Sequence, residues 1–339
     1  MRFLRLTILL AFFLQSAVAQ QSVTETVQEL RETARSFQRQ QDYSNAIMVL
    51  AKALELQPGN VDVLKDVAYV YYLSGDFAKA AQRVLPLTEL ESADEQIFQI
   101  AGSVFKELEE YKICDRLYKK GLKKFENSGA LYSEYGELFW AQQKPTEAIA
   151  QWETGMKIDP SYSGNYYHAA KFYFAAGDKS RSIVYGEIFV NLESYSVKSA
   201  EIKILLLESY KRIYMPGDNK KYYVKAPTSF ELDFLQAMGK QNELSLHGIT
   251  PETLLAIRSR FLLDWFNANE SKYPFHLFEH LRYLLREGMF EAYNQWLFGP
   301  ASDASAYQNW IRTHEDEYLA FSYYQRNKLF KMPGGQNYF

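Results

Sequence analysis

Two histidines and a glutamate stand at a spacing that carries chemistry: His276, Glu279 and His280 form the string H-x-x-E-H. On a helix, His276 and His280 are i and i+4 neighbours, close enough to share one zinc ion. Glu279 beside them would polarise a metal-bound water as general base, the chemistry of a zinc-dependent hydrolase. Such a centre needs a third protein ligand, and the acidic residues further on include Glu287, Glu291, Glu315 and Glu317. The competing reading is an amphipathic helix that happens to carry two histidines. Its buried face would be Leu277, Phe278, Leu281, Leu284 and Leu285. The helix reading is preferred, so no catalytic residue, metal or cofactor is assigned, and the chain is read as a non-enzyme.

The string is also the pattern of the inverzincin metallopeptidases. In that family the third ligand is a glutamate well downstream in a large α/β domain, whereas only 59 residues follow His280. Other catalytic patterns are missing: there is no G-x-S-x-G, P-loop or G-x-G-x-x-G string. His168, His247 and His314 have no obvious partner. Composition narrows the classes further. The 339 residues carry 38 Lys plus Arg against 41 Asp plus Glu, a net charge of −3 that argues against a nucleic-acid binder. A hydrophobic content of 47% excludes a disordered chain. A single cysteine, Cys114, cannot form an internal disulfide. Lys119-Lys120 and Lys123-Lys124 make a basic stripe too short to specify nucleic acid or membrane.

Residues 1–19 read as a secretory signal peptide. Arg2 and Arg5 precede the nine-residue apolar stretch Leu6–Leu14, and Ala17-Val18-Ala19 sets cleavage before Gln20. Nine residues are too few to span a bilayer, which takes about 20. After cleavage no integral membrane segment remains. The expected product is exported and periplasmic, with secretion or outer-membrane association as the alternative.

The elements that organise the chain repeat every 34 residues. Five windows start at residues 27, 61, 95, 129 and 163 without an insertion. Position 8 holds Ala34, Ala68, Gly102, Gly136 and Ala170, and position 20 holds Ala46, Ala80, Cys114, Ala148 and Ser182. Position 11 is aromatic throughout: Phe37, Tyr71, Phe105, Phe139 and Tyr173. Pro58 and Pro160 fall at position 32. This pattern resembles the tetratricopeptide-repeat (TPR) family over about half of the chain, and in particular exported TPR proteins of the Gram-negative envelope. Two antiparallel helices per unit must touch closely, so small residues at positions 8 and 20 would let the backbones approach, with Cys114 one of them. One pair cannot bury its own apolar face, so pairs stack. The expected fold is all-α: a TPR α-solenoid of five repeats and a capping helix over 197–213, within 27–214 and after a short segment 20–26. A linker over 215–228, a C-terminal helical domain over 229–331 and a tail over 332–339 would follow. Lys179 and Gly186 make the fifth repeat atypical.

The resemblance implies a ligand groove lined by the first helix of each pair. Its positions carry over to Arg31, Arg35, Lys65, Tyr69, Tyr72 and Lys106, then Trp140, Tyr167, Lys171 and Phe174. That gives a basic end and an aromatic end, suited to a protein or peptide partner, an envelope-complex member among the options. The carboxylate clamp of chaperone-binding relatives is not reproduced, because its positions hold Lys65, Tyr69 and Ile100.

Beyond the linker, helices are expected near 229–239, 251–268, 274–287, 289–297, 303–313 and 315–330, with Gly288 and Gly299-Pro300 as stops. This region holds 22 of the 54 aromatic residues. Exposed rings would stack on sugars, making glycan binding an alternative function. Trp265, Phe266, Tyr293, Trp296, Tyr307 and Trp310 fall at helical spacings, which favours a core.

Overall fold

The computed structural model describes residues 23–214, 226–336 and 338. The expected signal peptide and most of the linker, residues 215–225, lie outside the described residues. Those described are helical without a strand, and they form two compact units that divide between Glu126 and Asn127.

The first unit is three helix pairs: α1 (residues 23–39) with α2 (Tyr43–Leu56), α3 (Val61–Leu73) with α4 (Phe77–Val84), and α5 (Glu95–Glu107) with α6 (Tyr111–Lys124). Side-chain caps start them. Asn60 and Asp94 accept from Val63 N and Ile97 N at the heads of α3 and α5, and Asp42 and Asp76 do the same for α2 and α4. Pro86 ends α4 early, and the chain passes into a 3-10 turn, Leu85–Glu89.

The second unit begins with two more pairs: α7 (Gly129–Ala141) with α8 (Pro145–Ile158), and α9 (Ser163–Ala175) with α10 (Lys179–Leu192). Next come α11 (Val197–Tyr214), α12 (Ser229–Gly239), α13 (Asn242–Ser245), α14 (Pro251–Ala268), α15 (His276–Arg286), α16 (Phe290–Ser302), α17 (Ala304–Thr313) and α18 (Glu315–Asn327). The short α13 was not expected. Helix α16 runs through the expected stop at Gly299-Pro300. A proline in the last turn forfeits a single helix hydrogen bond, and Asp303 N still closes the turn on Gly299 O at 3.0 Å.

One turn recurs in all five pairs. The residue at position 15 has positive φ: Gln41, Gly75, Glu109, Gln143 and Gly177, between 57° and 78°. The following N–H then donates to the carbonyl of the position-11 aromatic residue, at 2.9–3.0 Å in each repeat. Three non-glycine residues accept a left-handed conformation that costs about 1–2 kcal/mol, which shows how strongly helix packing dictates the turn.

The small residues do two different jobs. Cys114 Sγ lies 3.2 Å from Gly102 O, a backbone approach of the expected kind. At Gly102 and Gly136 the space belongs to a ring instead. A β-carbon there would overlap Tyr118 and Trp152, and Trp152 Nε1 donates to Ser133 O at 3.1 Å.

Helix α10 explains why the fifth repeat looks atypical. Eleven of its fourteen residues are buried, including Arg181 and Glu187. Arg181 pairs with Asp178 and, at 3.0 Å, with Glu231 of α12. Glu187 pairs with Arg258 of α14 and accepts from Tyr293 of α16 at 2.8 Å. Asn294 completes the second network, accepting from Arg258 at 3.0 Å. Gly186 leaves room for Ile202 and Leu206 of α11. A single apolar core runs from Ala148 to Met332 through both the repeats and the C-terminal helices.

Candidate functional site

In the first unit, the residues carried over to the first helices are Arg31 and Arg35 on α1, Lys65, Tyr69 and Tyr72 on α3, and Lys106 on α5. The expected basic end is a ladder of ion pairs. Arg31 donates to Asp66 at 2.6 Å and to Asp62 at 3.3 Å, and Arg35 lies 3.9 Å from Asp66. Lys65 pairs with Asp94 and lies 3.5 Å from Asp62. Burial pulls the Arg31 guanidinium down, but the Asp66 and Asp62 carboxylates outweigh it and hold Arg31 above its usual value. Three cations therefore face three acids, and the group carries no net positive charge. Arg31 and Lys65 are largely covered while water still reaches their acids, and partly solvated pairs of this kind are worth on the order of 1 kcal/mol each. Tyr69 and Tyr72 stack with centroids 6.3 Å apart and remain half-exposed, and Lys106 is half-buried. Of the clamp positions, Lys65 is engaged by Asp94 and Ile100 is buried.

In the second unit, Trp140 at the end of α7 is 50% exposed. It leans on two buried rings, Trp152 at 6.1 Å and Phe172 at 6.3 Å. His168 stacks on Trp152 at 5.0 Å, and its Nε2 lies 2.9 Å from Glu137 Oε1, a partner that sequence reasoning missed. The other carried-over residues of this unit are engaged by α11. Tyr167 is buried and bonds Glu201 through its hydroxyl. Lys171 Nζ lies 2.7 Å from Glu201, and the Arg212 guanidinium covers the Phe174 ring at 3.9 Å. Burial pushes the Glu201 carboxyl up, but the Lys171 and Tyr167 bonds hold it below its usual range. Trp140 is thus the carried-over ring of this unit most open to solvent.

The H-x-x-E-H residues sit on α15. Leu277, Phe278, Leu281 and Leu284 are buried and Leu285 is half-buried, the face expected of an amphipathic helix. His276 Nδ1 lies 3.5 Å from Glu279. The His276 ring stacks on Phe330 at 5.4 Å, and His280 lies 5.1 Å from the same ring and 6.0 Å from Tyr324. Burial first, then the neighbouring His276 and Lys328, push His280 down to about 4. Among the described residues no three His, Cys, Asp or Glu gather as a metal site, and Glu315 and Glu317 are exposed on the first turn of α18. Of the six rings whose helical spacing favours a core over glycan stacking, Trp265, Tyr293, Trp296 and Tyr307 are buried, while Phe266 and Trp310 are half-buried. No described helix is long and apolar enough to cross a membrane.

The profile of the tetratricopeptide repeat matches residues 38–101. Among curated proteins, interferon-induced protein with tetratricopeptide repeats 2 of Cricetulus griseus is 29% identical over 157 residues, which is 38% of this chain. Tetratricopeptide repeat protein 21A of Mus musculus is 25% identical over 119 residues, or 35% of this chain. The matches span 32% and 9% of those relatives' lengths. Among solved structures, PilF of Pseudomonas aeruginosa is 14% identical, covering 56% of this chain and 87% of its own, with a TM-score of 0.47. A thermophilic TPR protein of Thermus thermophilus is 11% identical, covering 54% and 98%, with a TM-score of 0.46. The matched profile, the 34-residue period and the five identical turns agree: this chain carries tetratricopeptide repeats in an all-α fold.

Proposed function

We propose that the chain is an exported, periplasmic scaffold for protein–protein interaction, and that the first helices of its repeats present the docking faces. The observation that carries this reading is Trp140, a large ring held half-exposed on a platform of the buried rings Trp152 and Phe172. Aromatic anchors of this kind dominate binding energy where a partner desolvates them. In the first unit the Tyr69–Tyr72 stack offers a second anchor beside the charge-balanced ladder. The partner's matching feature is apolar or aromatic, since Asp62, Asp66 and Asp94 already answer the Arg and Lys charges. Tyr72→Ala combined with Trp140→Ala is expected to abolish capture of the partner from envelope extracts while circular dichroism stays unchanged. Full capture by the folded double variant contradicts the reading.

A further inference from the structure

A cavity of about 300 Å³ opens in the second unit, between the C-terminal end of α10, α15, and α18 with the segment that follows it. Its volume falls at the lower end of small-ligand pockets, about 300–1,000 Å³. It is distinct from the docking faces and uses the one residue of the H-x-x-E-H string that lines it, His280.

The chemistry of the wall is one-sided. Among the described residues no aspartate or glutamate lines the cavity, whereas Arg326 and Lys328 both do. Among the described residues Lys328 is held by rings: its Nζ lies 4.5 Å from the centroid of Tyr283 and 5.4 Å from that of Tyr324. Arg326 lies against the Tyr195 hydroxyl. His280 stays neutral near pH 7, with Nδ1 3.4 Å from the Tyr324 hydroxyl. The polar groups beside Arg326 are already tied to one another. Tyr195 donates to Gln325 at 2.6 Å, and Gln325 donates to Ser194 at 3.3 Å, which fixes the shape of that side. Asn191 also lines the cavity, and its amide donates to Glu187 O at 2.7 Å and to the Tyr293 hydroxyl at 2.8 Å. The rest of the lining is apolar or aromatic: Phe321 is buried, Phe330 packs on His280, and Leu329 stands at the surface 80% exposed.

We propose that this cavity binds a carboxylate carried on an aromatic body. The ring enters among Phe321, Tyr324 and Phe330, and the carboxylate meets the Arg326 guanidinium and the Lys328 ammonium at the mouth. A guanidinium fork matches a carboxylate in two parallel hydrogen bonds, and with no acid among the described lining residues no anion there competes for it. Two sources share this chemistry, a free aromatic acid and the C-terminus of a peptide ending in an aromatic residue.

The test is calorimetric titration of the full chain with 3-phenylpropionate, with its neutral amide 3-phenylpropanamide, and with a short peptide ending in a free phenylalanine. The acid is expected to bind saturably, with the amide weaker by roughly tenfold or more. Arg326→Ala with Lys328→Ala is expected to weaken the acid by roughly tenfold while leaving the amide unchanged. Both residues are exposed, so the variant keeps its fold, and an unchanged melting curve verifies this. The His280 ring signals are expected to shift on titration, which locates the ligand. Acid and peptide binding together assign a chain terminus as a source; binding of the acid alone assigns a free acid. Equal affinity for acid and amide, an unaffected double variant, or no saturation by about 10 mM acid overturns the proposal.

Discussion

Helices α6 and α10 hold the same place in the third and fifth repeats, and they differ in what surrounds them. Helix α6 buries Cys114, Leu117, Tyr118 and Gly121 along one face and turns its lysines outward. Helix α10 is buried almost all round and carries Arg181 and Glu187 inside. A helix packed on one face needs only a stripe. One enclosed by α9, α11, α12 and the networks to α14 and α16 needs apolar residues on every face, plus charges that find partners. The first unit is therefore held by repetition, and the second by repetition together with long-range polar registration.

The buried network of the second unit is where this difference is most readily broken. Arg258→Ala leaves Glu187 charged and unpaired inside, which costs about 3–5 kcal/mol. All five tryptophans (Trp140, Trp152, Trp265, Trp296 and Trp310) lie beyond residue 126, so their fluorescence follows this unit specifically. A large drop in its unfolding midpoint is expected. Arg258→Met with Glu187→Leu is expected to recover most of the loss, because a well-packed apolar pair removes the stranded charge.

Acidification separates the units next. All five histidines lie in the second unit. His280 is held down to about 4, so between pH 6.5 and 4 the unfolded chain binds a proton that the folded one does not. Stability therefore falls as pH drops through that window, by on the order of 2–3 kcal/mol for this residue. His280→Gln is expected to flatten that slope in denaturation curves taken across the range. An unchanged slope would mean that His280 charges freely in the folded state.

A smaller effect probes the helix contacts that repetition dictates. Gly136→Ala pushes a methyl into the Trp152 ring, expected to cost about 1–3 kcal/mol and to disturb the Trp152 bond to Ser133. The smallest effect belongs to the ladder of the first unit. Asp66→Ala, read by circular dichroism, is expected to cost about 1 kcal/mol, because the pair is only partly covered and Arg31 keeps Asp62 as a partner. A loss as large as that of Arg258→Ala would erase the distinction between the units.

The same distinction decides what the sequence reveals. The 34-residue period was legible because each pair contacts mainly its neighbours, so equivalent positions meet similar surroundings and keep the same small or aromatic character. Positions 8, 11 and 20 show this, and the turn at position 15 obeys it even where glutamine replaces glycine. The acidic ladder was partly legible in hindsight: Asp62 and Asp66 stand at positions 2 and 6 of the repeat that follows Arg31. His168 meets Glu137 by the same neighbour-to-neighbour logic. The networks around Arg181 and Arg258 were not legible, since Glu187 and Arg258 lie 71 residues apart in no repeating register. Helix α16 passing through Pro300 was likewise hidden, because a single lost hydrogen bond is offset by packing that only the fold reveals.

The claim that the first-helix faces dock a partner is tested most directly by site-specific photo-crosslinking in the native host. A photoreactive phenylalanine analogue placed at Trp140 and, separately, at Tyr72 is expected to yield a discrete protein adduct. The same residue at Met48, 54% exposed on the second helix of the first pair, is expected to yield none. Adducts at Met48 equal to those at 140 and 72, or no adduct at either of the latter, would contradict it.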